Sequence, residues 1–452
     1  MSASLRAHPI ILVFALALVL RVANVALLHG ENAFFAEPDA FTYWGLGSAL
    51  AKRETFWPTL VSLTDRMPLY PLFVAGAQNV FGDSPRAVAF LQSVIDAGTC
   101  AIIAVLGGLI SGQVGLIAGI LAAVSLTVII LSSQILTDTL ALFFFSAMLL
   151  AGALFLRRGS NALAAAAGLA GGLALATRSA IALLLVACVP LIVMAALVQG
   201  RRLISALAGG AVFALCALAP IAPLLLRNAI IYDSFSLTSQ TGDHIAFWIF
   251  PLVKERADGT PYQTSVAEME MLYQQRLAKR GHASEANPFV RAAIKTAVAE
   301  EQLQALPIKA FIKSWLEGML VNLAVPAVIV DPRMRSLPKP SFYNTAGSTL
   351  WQKARSYLLD KPGIYQSVLA IGLVAMLPFL ALQAAGFIML ARALPWGALL
   401  AFGLLAYFLL ITGPVTGPKY RLPIEPVLLM LTALPLARLV ERRYLMRSRM
   451  LT

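Results

Sequence analysis

The side chains in this sequence that could act on a hydroxyl or a phosphate stand mostly at the ends of long apolar segments. Asp39 lies in Glu37-Pro38-Asp39-Ala40-Phe41-Thr42-Tyr43-Trp44, just past the first of those segments. Tyr43, four residues on, would share a helix face with it. Arg66 opens Arg66-Met67-Pro68-Leu69-Tyr70-Pro71, with Tyr70 as a further candidate. Asp138 follows Thr137 at the head of another apolar segment, and Arg178 ends the run Ala176-Thr177-Arg178 between two more. Lys419-Tyr420-Arg421 sits in a turn set by Gly413, Pro414, Gly417, Pro418 and Pro423, whereas Asp243 and His244 lie in a polar loop. A carboxylate within hydrogen-bond reach of a hydroxyl can take its proton during nucleophilic attack. Arginine and lysine can grip a phosphate and stabilise charge growing on it as it leaves.

Each position also has a plain structural reading. Glu37-Pro38-Asp39 is a good helix start, with proline in the first turn and an acid favoured by the helix dipole. On local sequence alone, a helix start and a catalytic base fit Asp39 equally. Thr137-Asp138 reads as an N-cap. Arg66 could snorkel from an aromatic interfacial segment. Arg178 has little aqueous loop to hold it, and a cation there is costly unless it is paired or faces a cavity. Asp96, about 10 residues into an apolar segment, reads as a paired or protonated structural acid rather than a catalytic one.

The elements that must position these groups are membrane helices. Of 452 residues, 59% are hydrophobic and 13% charged, and the mean hydropathy is +0.79. Several windows exceed the roughly 18 apolar residues that mark a spanning helix. The expected fold class is all-α and polytopic, with about 11–13 transmembrane helices, interfacial helices and an outer-face lid. The net charge of +13 does not indicate a nucleic-acid partner. Arg157-Arg158, Arg201-Arg202 and the tail Arg438, Arg442, Arg443, Arg447 and Arg449 fall in short loops or at the terminus, the positive-inside pattern. Counting crossings from a cytoplasmic start puts Asp39, Arg66, Asp138 and Arg178 together on the opposite face.

Three regions follow: a membrane core over 1–227 with its first outer loop at 30–85, an outer loop region over 228–308, and C-terminal segments over 309–452. The first 30 residues read as an uncleaved signal anchor. Lys309–Val330 is apolar yet holds Lys313, Glu317 and Asn322, and parity makes it enter and leave on one face unless a crossing is miscounted. Cys100, Cys188 and Cys216 lie in apolar segments without metal-ligand spacing, so no metal site and no cofactor are expected.

Taken in order, these motifs resemble the C-type glycosyltransferases. They are the first-loop acid with its D-x-x-x-Y context, the R-x-P-x-x-P run, the acid opening the segment at Asp138, the A-T-R turn, Arg227-Asn228, and Lys419-Tyr420-Arg421-Leu422-Pro423. The chain is most similar to the protein-mannosyltransferase-like bacterial branch, which includes lipid A aminoarabinose and lipopolysaccharide galacturonic acid transferases. The resemblance implies a GT-C fold in the bacterial inner membrane, with its active site facing the periplasm or cell exterior. It implies a polyprenyl-phosphate sugar donor and inverting transfer to a hydroxyl of a lipid-linked or envelope glycan, lipid A or protein. Asp39 matches the base, Asp138 an acidic helper, and Arg66, Arg178, Lys419, Tyr420 and Arg421 the donor or phosphate contacts. Some C-type relatives use a divalent ion. Several relatives also carry a C-terminal soluble domain, so acceptor recognition is expected from 227–308 and 331–362.

Two other classes compete with this reading. A polysaccharide polymerase or ligase would place its key residues in a large Arg-rich outer loop. A transporter or flippase would carry charges inside the middle of several helices, where this chain has chiefly Asp96.

Overall fold

Within a bilayer every backbone polar group must be satisfied by the chain itself, and long apolar segments therefore become helices. The computed structural model describes residues 3–450 except 280, 282–284, 341, 343–344, 346, 348 and 361, and no strand occurs among the described residues. Among the described residues, seven helices are long and apolar enough to cross a membrane: His8–Ala26, Pro85–Gly108, Asp138–Arg158, Ser179–Val198, Ile364–Ala393, Pro395–Thr412 and Pro418–Glu441. Two bent pairs raise the number to nine: Gly112–Val124 with Leu126–Ser132, at 51°, and Leu203–Leu218 with Ala222–Tyr232, at 62°. Asn161–Thr177 is a shorter apolar helix. The chain is an all-α, multi-pass membrane protein. The expectation of about 11–13 spans counts more elements than satisfy this measure, because several apolar stretches are short, bent or lie along the bundle's end.

The bundle has two chemically distinct ends. Arg157 donates to the Leu109 carbonyl, Gln199 to the Leu156 carbonyl at 2.8 Å, and Arg201 to Asn161 at 3.3 Å, so the arginine pairs gather at one end. The loops around residues 28–37, 63–68, 132–138, 331–335 and 413–424 meet at the other. Between the ends, Asn161–Thr177 lies directly on Leu203–Leu218. A side chain at Gly168 or Gly172 would strike the carbonyls of Phe213 and Ala217, which is the close approach that small residues permit between membrane helices.

Two arginines are buried inside this apolar frame, and both hold helix breaks. Arg21, 0% exposed, pairs with Asp96 and donates to the carbonyls of Ala122 at 3.1 Å and Ala123 at 2.8 Å. Those carbonyls belong to the last turn before the bend at Ser125, where the i+4 helical N–H partners are lost and only a long 3.4 Å bond from the Ser125 N–H to Ala122 remains. Arg421 does the same for the end of Ile308–Ala324. It donates to the carbonyls of Leu323 at 2.8 Å and Val325 at 3.3 Å, to Thr127 Oγ1 at 3.0 Å, and to Glu425 at 3.2 Å.

Ile308–Ala324 runs along the bundle's end. Ile308, Ile312, Leu316 and Leu320 form an exposed apolar stripe, while Ser314, Gly318 and Asn322 are buried on the opposite side. Asn322 donates to the Val415 carbonyl at 3.0 Å and accepts from the Gly417 N–H at 2.9 Å. Upstream, Leu306 packs on the core of the outer loop region. Downstream, Ala327 and Val330 pack with Val128, Ile130 and Leu131. Both flanks therefore meet the same end of the bundle, which satisfies the parity left open by the sequence.

The segment expected as an outer loop region folds as Gln240–His244, Phe250–Asp258, Tyr262–Lys279 and Pro288–Gln304 around a core of Ala246, Phe250, Met269, Tyr273, Ile294 and Val298. It is fastened to the bundle at Ser239, whose N–H donates to the Thr64 carbonyl at 2.8 Å. Arg256–Glu317 and Lys353–Glu255, both at 2.5 Å, tie it to Ile308–Ala324 and to the helix Leu350–Leu359.

Two predictions follow from this architecture. Replacing Asp96 by Ala strands the buried Arg21 cation and should destabilise the protein by about 3–5 kcal/mol, read as a lower unfolding temperature in detergent. The double variant Arg21→Met, Asp96→Leu should recover only part of that loss, because it removes the stranded charge but leaves the Ala122 and Ala123 carbonyls without the Arg21 donors. Cysteines placed singly at Lys309 and Ser336 should react with a membrane-impermeant maleimide from the same side of sealed vesicles. Labelling from opposite sides would refute the end-lying placement.

Candidate active site

Two glutamines build the floor of the site. Gln92 accepts from the Tyr70 hydroxyl at 2.6 Å and donates to the carbonyls of Ser132 at 2.9 Å and Gln134 at 2.8 Å. Gln134 in turn donates to the Ala33 carbonyl and accepts from the Ala36 N–H, both at 3.1 Å. The Ile135 N–H adds a bond to the Phe34 carbonyl at 3.0 Å. These bonds fix the loop that precedes Asp39 against the loop that precedes Asp138. The two acids thus share one rigid platform, although their loops are far apart in sequence.

Asp39 stands in the first turn of Pro38–Ala51 with Pro38 at the helix start, so the helix-start reading of this acid is observed. Its surroundings add what the local sequence lacks. One carboxylate oxygen accepts from Arg66 at 3.2 Å, the other lies 3.7 Å from Lys419 Nζ, and the side chain is 42% exposed. Lys419 also reaches Glu37 at 3.6 Å, and Glu37 pairs with Arg335 at 2.6 Å. Beside this group, Asp138 is 3% exposed and bonded to Arg178. The Tyr420 ring joins the two sets, with Arg178 5.9 Å and Lys419 5.6 Å from its centroid. Arg66 lies 6.0 Å from the Tyr43 centroid, and the Tyr43 and Tyr70 rings meet edge to face at 5.3 Å.

The arrangement is electrostatically graded. Burial, only partly opposed by Arg66, pushes the Tyr43 phenol up to about 12, so at neutral pH it keeps its proton and remains a hydrogen-bond donor. Asp138 is enclosed and committed to Arg178, which makes it a holder of that cation. Asp39 is the more accessible of the two acids. Asp138, Arg178, Phe145, Leu422 and Pro423 also line a small cavity beside the cluster. Among the described residues, no group of three or more His, Cys, Asp or Glu side chains could hold a metal ion.

The structure therefore brings together Asp39, Arg66, Asp138, Arg178, Lys419, Tyr420, Tyr43 and Tyr70. Arg421 does not join them. It is 3% exposed and its guanidinium is engaged by helix-end carbonyls, Thr127 and Glu425. Asp243 and His244 lie in the outer loop region; Asp243 pairs with Lys295 at 2.5 Å. Burial lowers the pKa of His244 from its ordinary value, favouring its neutral form. Sequence reasoning passed over Glu37 and Arg335. Glu37 had a visible signal, its place two residues before Asp39. Arg335 had none, because its loop reaches the site only through tertiary packing.

Residues 65–226 match the family described as dolichyl-phosphate-mannose-protein mannosyltransferase. Over this segment, the resemblance expected from the sequence is borne out. It contains Arg66, Tyr70, Asp138 and Arg178, while Asp39 and Lys419 lie outside it. A crystal structure of ArnT from Cupriavidus metallidurans bound to undecaprenyl phosphate is similar over 94% of this chain and 77% of that one, with 14% identity and a TM-score of 0.36. No curated protein matches.

Gln92 supplies the test of the platform. Gln92→Leu leaves the Tyr70 hydroxyl and the carbonyls of Ser132 and Gln134 without their buried partner. It should cost about 1–3 kcal/mol, measured as a drop in unfolding temperature in detergent. An unchanged temperature would count against the platform.

Proposed function

We propose that this chain is a membrane glycosyltransferase that moves a sugar from a polyprenyl-phosphate carrier to an acceptor hydroxyl, with Asp39 as the base. The observation that carries this reading is the accessible Asp39 carboxylate held between Arg66 and Lys419, beside the Arg178–Asp138 pair. The matched family segment is in keeping with a sugar-phosphate lipid as donor.

The chemistry balances on these residues. The acceptor oxygen attacks the anomeric carbon as its proton passes to Asp39. A new glycosidic C–O bond forms while the bond from that carbon to the phosphate oxygen breaks, and the electron pair leaves with the polyprenyl phosphate. The leaving group changes from a phosphodiester to a monoester and gains charge. Lys419 and Arg178, on either side of Tyr420, are placed to stabilise that charge, and Arg66 orients the base. A single displacement of this kind inverts the anomeric centre. Asp138 positions Arg178, and Glu37 positions Lys419. The donor's insoluble tail accounts for a reaction run at the bundle's end, and the arginine pairs at the opposite end support a location at the outer face of a bacterial inner membrane. A lipid-linked or envelope glycan is the acceptor that fits this location.

The test uses purified chain in lipid nanodiscs with labelled polyprenyl-phosphate sugars. Asp39→Asn should lower turnover by about 10²–10⁴-fold, the usual range for general-base catalysis, with donor binding retained. Arg178→Ala and Lys419→Ala should weaken donor binding. Full turnover in Asp39→Asn would sink the assignment.

A further inference from the structure

A second polar cavity lies between the bundle and the outer loop region, with a volume of about 240 Å³. Its polar lining comes from Thr64 and Asp65 on one side and from Ser239, Asp243, Arg291 and Lys295 on the other. Its relation to Asp39 is fixed by a single guanidinium. Arg66 Nη1 lies 3.3 Å from the Asp65 carboxylate, and Arg66 Nη2 lies 3.2 Å from the Asp39 carboxylate. Arg66 thus links Asp65, in the cavity's lining, to Asp39.

The lining has a definite chemical character. Two carboxylates and two cations cancel, so the cavity offers no net charge to a phosphate or other anion. Asp243 has one oxygen on Lys295 at 2.5 Å, and Asp65 has one on Arg66; among the described residues, the other oxygen of each is left to accept. The Thr64 and Ser239 hydroxyls lie 3.5 Å apart across the join, and Arg291 extends from the opposite wall with its Nε bonded to Tyr273 at 3.2 Å. Closely spaced acceptors, hydroxyls and N–H donors without net charge suit a ring of sugar hydroxyls.

We propose that this cavity binds an uncharged sugar residue of the acceptor and presents its hydroxyl to Asp39 around the edge of Arg66. The inference rests on the glycosyltransferase reading and adds to it a substrate class and a location for the acceptor. The wall formed by Ser239, Asp243, Arg291 and Lys295 belongs to the outer loop region, so acceptor choice and donor chemistry reside in separate parts of the fold.

Saturation-transfer NMR on the full chain in nanodiscs would test this with two probe sets: uncharged methyl glycosides, and sugar 1-phosphates with inorganic phosphate. At least one methyl glycoside should bind, and Asp243→Asn and Arg291→Ala should each reduce its signal at least about fivefold. Binding of labelled polyprenyl phosphate and the unfolding temperature should stay unchanged, which excludes misfolding as the cause. Presenting the same glycoside on a short polyprenyl diphosphate separates a lipid-linked source from a free one: tighter binding identifies the former, equal binding the latter. The proposal is overturned if no glycoside binding depends on these residues, or if phosphate binding is what the variants lose. Donor turnover that responds to Asp39→Asn while glycoside binding ignores the cavity would defeat this inference alone. Absence of any donor turnover would instead defeat the reading beneath it.

Discussion

A cation in the middle of an apolar bundle is the constraint on which the rest of this structure depends. Arg21 cannot be left unpaired there, and its partners, Asp96 and the carbonyls of Ala122 and Ala123, draw three helices to one point. The pair does more than neutralise itself. It takes up the carbonyls exposed where the chain bends at Ser125, and that bend turns Leu126–Ser132 toward the loop before Asp138. Arg421 braces the same break from the other side through Thr127 and Glu425. Buried ion pairs are weak sources of net stability, since desolvation offsets much of their attraction. Here they permit a broken helix that an apolar substitute could not cap.

The broken helix explains how remote loops come to share one surface. The stretch 132–138 is held by Gln92 from below and by Gln134 against residues 33–36. Neither glutamine is a chemical participant. They supply the buried hydrogen bonds without which two irregular loops could not stand side by side in an apolar setting. Asp39 and Asp138 then differ by environment: one is accessible between two cations, the other enclosed and committed to a single arginine.

Much of this was legible in the sequence because membrane segments are long and charge at their ends is conspicuous. Asp39, Arg66, Asp138, Arg178 and Lys419 each sit where an apolar run stops, and the arginine pairs show which runs end together. Arg421 was grouped with Lys419 because it is two residues away in the same turn, yet it lies apart from the Asp39 cluster. Sequence shows that both are cations but not that a helix turn sends them to opposite sides. Arg21 and Arg335 were missed for different reasons. Arg21 is hidden inside an apolar segment, and its partner Asp96 was seen alone. Arg335 lies in a loop whose path depends on the end-lying helix Ile308–Ala324, and that placement answers to tertiary contacts at Gly413–Gly417. Periodicity says nothing of them.

The turn Pro418–Arg421 has one more consequence. Its four residues carry a lysine that faces the site and an arginine that faces the bundle's interior, with the Tyr420 ring between Lys419 and Arg178. Substitutions there would each disturb one role. Adding or removing a single residue between Gly417 and Leu422 would disturb both at once, exposing the cation that braces the helix break and burying the one that meets Asp39. The segment is therefore a register mark: its length, more than any one of its side chains, keeps the scaffold's charges apart from those of the Asp39 cluster.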